Sequence, residues 1–220
     1  PRMVCADTKT AFEENQQKAD RARLRVERAN SLLNTACTSI RACSLEVERS
    51  QLSHSKPIGE GQFGQVFKGT YRGRQVAIKM LKPGVSKENV DYQSIVMEIA
   101  AMTRIGKHPN IIDFVGACVD DSENPVIVVE YGGTTNLQEF LFMKYPGFNL
   151  GYLRVRKWAL DILGALEHLH GLNPIIVHRD VKPANLLLTD DRNTLKFSAP
   201  LATPPPRSTT PAAAPPRPTT

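Results

Sequence analysis

Asp180, Lys182 and Asn185 stand together in the stretch Val177-His178-Arg179-Asp180-Val181-Lys182-Pro183-Ala184-Asn185. A carboxylate placed this way can orient an attacking hydroxyl and accept its proton. Lys182 would offset anionic charge beside it, and Asn185 would offer a neutral oxygen to a cation. Upstream runs Gly59-Glu60-Gly61-Gln62-Phe63-Gly64-Gln65-Val66. Glycines at this spacing let backbone N–H groups approach phosphate oxygens, although they serve equally well in any tight hairpin. The dinucleotide-binding version of such a run opens into a helix. Here a β-like run, 66–70, follows, so the expected form is a flap folded over nucleotide phosphates from a hairpin, with Phe63 at its tip.

A third set lies between these two. In Val76-Ala77-Ile78-Lys79 strand alternation puts Val76, Ile78 and Met80 on one face and Ala77 with Lys79 on the other. A solvated lysine is the simplest reading of that tetrapeptide alone. Downstream, Ile95, Glu98, Met102 and Ile105 recur at spacings of three and four, which sets a carboxylate inside the apolar stripe of a helix. An unpaired buried carboxylate is costly, and Lys79 is the natural partner cation, its ammonium aimed at phosphates.

The elements that must position these residues follow from the punctuation. Glycines at 59, 61, 64, 69 and 73 divide residues 57–81 into three antiparallel strands. Residues 87–105 read as helix. The apolar runs 111–119 and 126–131 flank a polar loop as a hairpin would. Thr135 and Gln138 form a capping box for a short helix ending near Met143, and residues 153–170 supply a longer helix.

Residues 8–50 lack proline and glycine and are rich in helix formers. Ala19, Ala22, Val26, Ala29, Leu33, Ala36, Ile40, Cys43 and Val47 make a heptad-like seam. The seam fits either a helix packed on its neighbour or a coiled-coil partner helix capable of self-association, and Asn30-Ser31 leaves a hairpin break open. Residues 198–220 hold eight prolines and no periodic apolar pattern, the composition of a disordered tail. The expected divisions are thus a helical segment 1–52, a catalytic-type segment 53–197 and a tail 198–220.

With 28 Lys plus Arg against 22 Asp plus Glu the net charge is +6, spread as +2 on each of these three segments. Arg21, Arg23, Arg25 and Arg28 form the one basic cluster, so nucleic acid is not an expected partner. Cys5, Cys37, Cys43 and Cys118 show neither zinc-ligand nor disulfide-framework spacing, which fits reduced thiols in a cytoplasmic setting. No run of eighteen apolar residues exists to span a membrane, and no secretory leader is recognisable.

Taken together, the glycine flap, VAIK, the mid-helix Glu98, the HPN at 108–110 and HRDVKPAN resemble the eukaryotic protein kinases, in order and at matching spacing. Lys182, two residues past Asp180, looks like the serine/threonine pattern. HPNIIDFVGAC and the run from ALDILGALEHLH through HRDVKPAN are most similar to the tyrosine-kinase-like group of serine/threonine kinases. The resemblance implies an α+β fold: a small lobe of antiparallel sheet plus one helix, then the first part of a helical large lobe. It implies ATP and Mg²⁺ as cofactors and a protein hydroxyl as substrate. Gly59, Gly61, Phe63 and Gly64 would cover the phosphates. Val66, Ala77 and Leu187 would sandwich the adenine, with Val129 as gatekeeper and the backbone of Glu130 to Gly132 bonding the adenine edge.

The pattern stops after Lys196. Phe197-Ser198-Ala199-Pro200 follows where the family places a strand and then DFG, so the chain lacks the principal Mg²⁺ carboxylate. The expectation is little or no phosphoryl transfer by this chain, with residual nucleotide affinity. An apolar face on helix 153–170 should also lie open. A shortened transcript or gene-model fault, and a purposeful pseudokinase that pairs with a full-length kinase, both fit that ending.

Overall fold

A computed structural model describes residues 3–61, 64–87, 89–119, 124–133, 135–144 and 150–198. Three strands, β1 (Leu52–Gly61), β2 (Gly64–Tyr71) and β3 (Arg74–Leu81), form an antiparallel meander. A hairpin of β4 (Phe114–Cys118) and β5 (Val126–Glu130) completes a five-stranded sheet ordered β1-β2-β3-β5-β4. The pairing of Val66 with Lys79, Ala77 with Val129 and Lys79 with Ile127 gathers these side chains on one face. Val76, Ile78 and Val128 point the other way into a separate core that Val47 joins.

The first helix, α1 (Met3–Ala42), is about 60 Å long at 1.5 Å per residue and runs unbroken through Asn30-Ser31. Only the later part of its seam is buried: Ala29, Leu33, Ala36 and Ile40, whereas Ala19 and Ala22 are exposed. Leu33, Ala36 and Ile40 pack on α2 (Val90–Ile105), the helix that carries Glu98. Helix does not continue to residue 50 as the composition predicts. Ser44 takes φ 56 and ends it, and Leu45 to Val47 runs along β4. There the Ala117 N–H donates to the Leu45 carbonyl and the Val47 N–H to the Ala117 carbonyl, both at 3.1 Å. Pairing the open edge of a sheet outweighs the local helix preference of these residues.

α2 begins at Asn89, whose side chain accepts the Asp91 N–H at 2.8 Å, and ends at Gly106 with φ 68. Its stripe is as expected: Ile95, Glu98, Met102 and Ile105 are all buried.

Beyond β5 the chain enters a second core. It is built by α3 (Tyr152–Gly171) and a three-stranded sheet of β6 (Thr135–Asn136), β7 (Leu186–Leu188) and β8 (Leu195–Phe197). Phe140 and Trp158 meet edge to face here, 5.8 Å between ring centroids. The cap falls one residue later than the expected box. Thr135 is in β6, and it is Asn136 whose Oδ1 accepts the Glu139 N–H at 2.8 Å at the start of a wide helical turn, Glu139–Lys144. Pairing of Thr135 with Leu188 takes that residue into the sheet. On α3, Trp158, Ala165 and Leu169 are buried while Leu153, Leu160 and Leu163 are exposed, the open apolar face that the sequence foreshadows. No helix among the described residues is long and apolar enough to cross a membrane.

Candidate active site

The inner face of the sheet, the connection after β5 and the 180–187 segment enclose a cleft of about 630 Å³. Val66, Ala77, Lys79 and Val129 form its roof, and Asp180, Asn185 and Leu187 its floor. Gly59, Glu130, Gly132 and Lys182 also line it. Strand alternation and antiparallel register thus bring together residues more than a hundred positions apart.

Lys79 and Glu98 form an ion pair through Nζ and Oε2, joining β3 to α2. The Glu98 side chain is 3% exposed and its second oxygen, Oε1, has no hydrogen-bond partner among the described residues. The pair lies at the back of the cleft, which both residues line, the Lys79 side chain 18% exposed.

Below, Arg179 has φ 63, a left-handed conformation that costs a side-chain-bearing residue about 1–3 kcal/mol and turns Asp180 into the cleft. Asp180 Oδ2 accepts Lys182 Nζ at 2.7 Å and Asn185 Nδ2 at 2.8 Å. These donors, Lys182 first, hold the Asp180 carboxyl below the usual carboxylate range against the opposing effect of partial burial. The Asp180 N–H donates to His178 Nδ1 at 3.3 Å. His178 is buried, its ring 4.7 Å from that of Phe197, and burial pushes its pKa down. Lys182 therefore neutralises Asp180 directly, and the Asn185 amide nitrogen is spent on Asp180, leaving its oxygen as the group a cation would use.

The glycines divide by role. A Cβ on Gly64 would sit 2.1 Å from the Met80 carbonyl oxygen, so glycine there is demanded by the β2–β3 contact. A Cβ on Gly59 would meet nothing within 4 Å, and the space it leaves opens on the cleft. Gly61 pairs with Gly64 at the turn of the flap, and Phe63 lies outside the described residues. Exposed Glu60 and Lys82 pair at 2.5 Å beside it.

The connection after β5 refines one expectation. The Glu130 N–H already donates to the Asp113 carbonyl at 2.9 Å, which leaves the Glu130 carbonyl, rather than its N–H, for an adenine edge. A Cβ on Gly132 would press on Ile112 at 2.3 Å and on Leu187 at 3.2 Å, so glycine keeps this side of the cleft narrow. Sequence reasoning missed Lys196. From β8 its ammonium pairs with the Glu130 carboxylate and ties the two lobes together. The signal was an alternating lysine between Leu195 and Phe197, with no partner nameable before the lobes were placed.

The strand-roofed cleft, with a buried Lys–Glu pair above the HRD bend, has the arrangement that the kinase-like motifs lead one to expect. A protein kinase domain profile matches residues 52–198, two thirds of the chain, and the chain belongs to the protein kinase family. It is 38% identical over 148 residues to drkD of Dictyostelium discoideum, which carries the name of a serine/threonine-protein kinase; the match covers 66% of this chain and 11% of that protein. The serine/threonine-protein kinase VIK of Arabidopsis thaliana is 33% identical over 150 residues, 67% of this chain and 33% of the relative. STY17 of the same plant is 35% identical over 154 residues, 70% and 25%. The chain spans a third or less of the length of these curated relatives.

Proposed function

We propose that the cleft binds ATP and that the chain derives from a serine/threonine kinase of the tyrosine-kinase-like group, cytoplasmic, with a protein hydroxyl as the acceptor of the parent reaction. The observation that carries this reading is the Lys79–Glu98 pair, buried at the back of a cleft whose roof is open above Gly59. Val66 and Ala77 above and Leu187 below supply apolar faces for a purine, and Lys79 supplies a fixed cation for its phosphates. Asp180 is the group that would orient the hydroxyl and take its proton, with Lys182 beside it holding charge. The units of this reading are the helical segment 1–52, the kinase segment 53–197 and the tail 198–220, whose expected disorder falls, past Ser198, on residues outside the described ones.

Mg²⁺ fits these residues only in part. Magnesium is held by one or two carboxylates together with the phosphates. Among the described residues the floor presents the Asn185 oxygen and an Asp180 carboxylate already paired with Lys182. We therefore read the 220-residue chain as binding nucleotide while transferring phosphate poorly: losing roughly 4 kcal/mol of transition-state stabilisation slows the step about a thousandfold.

The test is calorimetric titration with ATP alongside a phosphoryl-transfer assay on a general serine/threonine substrate. Binding that Lys79→Met abolishes, with transfer far below ordinary kinase rates, supports the reading. Turnover at about 1–100 per second that Asp180→Asn removes would refute the slow-transfer part. A non-catalytic rival, helix-mediated self-association or pairing with another kinase, retains one supporting observation: residues 11–25 of α1 are exposed on all sides. Light scattering on the full chain that shows only monomer removes the self-association.

A further inference from the structure

We propose that α1 is a positioning element of the cleft: through Leu33, Ala36 and Ile40 it holds α2 in place and so keeps Glu98 on Lys79. The inference rests on the nucleotide reading for its functional meaning, and on packing for its geometry. α2 packs on α1 more extensively than on any one strand of the sheet. Leu33 is 8% exposed, Ala36 2% and Ile40 0%, and they share a core with Tyr92, Ile95, Val96 and Ile99 of α2. Ile95 and Ile99 are neighbours of Glu98 on the same rigid helix, so a shift at that seam is transmitted to the carboxylate.

The other end of the device holds the sheet. Directly after α1, Leu45 and Val47 exchange two 3.1 Å hydrogen bonds with Ala117 of β4. Ala117 pairs with Ile127 of β5, and Ile127 pairs with Lys79 of β3. One continuous segment, residues 33–47, therefore grips the helix that carries the acid and, across the sheet, the strand that carries the base. Gly116 makes the second grip possible, since a Cβ there would sit 2.2 Å from the Leu45 carbonyl oxygen. Ion pairs are sensitive to displacement, and a loosened α2 withdraws Glu98 while leaving the rest of the cleft standing.

The experiment uses the full chain with Ile40→Ala, Glu98→Gln and the double variant, each titrated with the fluorescent nucleotide mant-ATP, plus amide hydrogen exchange across α2. Ile40→Ala is expected to weaken mant-ATP about tenfold, and Glu98→Gln by a similar factor. The double variant should be no weaker than Glu98→Gln alone, because both act through one contact. Ile40→Leu should restore most of the affinity, and Phe12→Ala, on the exposed part of α1, should change nothing. Exchange in residues 95–102 should quicken in Ile40→Ala while β2 and β3 stay protected. Independent, multiplying losses in the double variant, or unaltered α2 exchange, would overturn the proposal. If the parent chain fails to bind mant-ATP, the nucleotide reading falls, and the exchange result still decides whether α1 holds α2. Should Ile40→Ala not fold, Ile40→Val carries the same comparison.

Discussion

Asn185 Nδ2 donates at 2.8 Å to both the backbone carbonyl and the Oδ2 oxygen of Asp180, so the side chain expected to hold a cation also sets the direction of the carboxylate. Asn185→Ala removes both bonds. A loss of about 2 kcal/mol follows, because one of the two acceptors is charged. Urea unfolding measures it, and the carboxyl resonance of Asp180 should broaden as its orientation is released.

Breaking the Lys79–Glu98 pair from one side should cost more than removing it whole. Lys79→Met strands a carboxylate whose side chain is 3% exposed, for a loss of about 3 kcal/mol. Adding Glu98→Gln should recover much of that stability while nucleotide binding stays lost. A double variant less stable than Lys79→Met would contradict the pairing.

Two glycines of one flap should behave differently. Gly64→Ala forces a Cβ against the Met80 carbonyl and should destabilise by at least about 2 kcal/mol. Gly59→Ala meets open space and should leave the melting temperature unchanged, while weakening nucleotide affinity because the added methyl occupies room that phosphates need. Thermal melts with and without ATP separate the two effects.

Acid should destabilise the fold in a defined window. Burial lowers the pKa of His178, and burial together with the ring of His168, stacked at 4.9 Å, lowers that of His108. Each group favours folding while neutral. The unfolded chain takes up protons first, near the ordinary histidine pKa of about 6.5, so stability is full above that value and declines as pH falls toward the lower folded values. Asp180 adds a later loss, at pH below the ordinary carboxylate range, as its depressed pKa is crossed. Unfolding free energy measured from pH 8 to 5 should fall, and His178→Phe should flatten the slope.

The site was legible where chemistry and period coincide. Glu98 in an apolar stripe and Lys79 on the alternate face of its strand each conflict with local expectation, and pairing them resolves both conflicts. Asp180 and Asn185 were legible because they are five residues apart. The cap at Asn136 was misjudged in favour of Thr135, since a two-residue strand pairing with residue 188 leaves no local trace. The left-handed turn at Arg179 is hidden likewise, because a strained backbone reflects the surroundings that enforce it.

Sequence alone determined the three-strand meander, the helices α2 and α3 and the faces of β3 and α2, because these depend on side-chain type and on periods of two and 3.6 residues. Tertiary structure alone decided that α1 lies on its own α2, that residues 45–47 pair with β4 and that Lys196 reaches Glu130. A seam of small and apolar residues states that something must cover it without stating what. Its partner is chosen by which buried surface and which open sheet edge the rest of the fold leaves within reach.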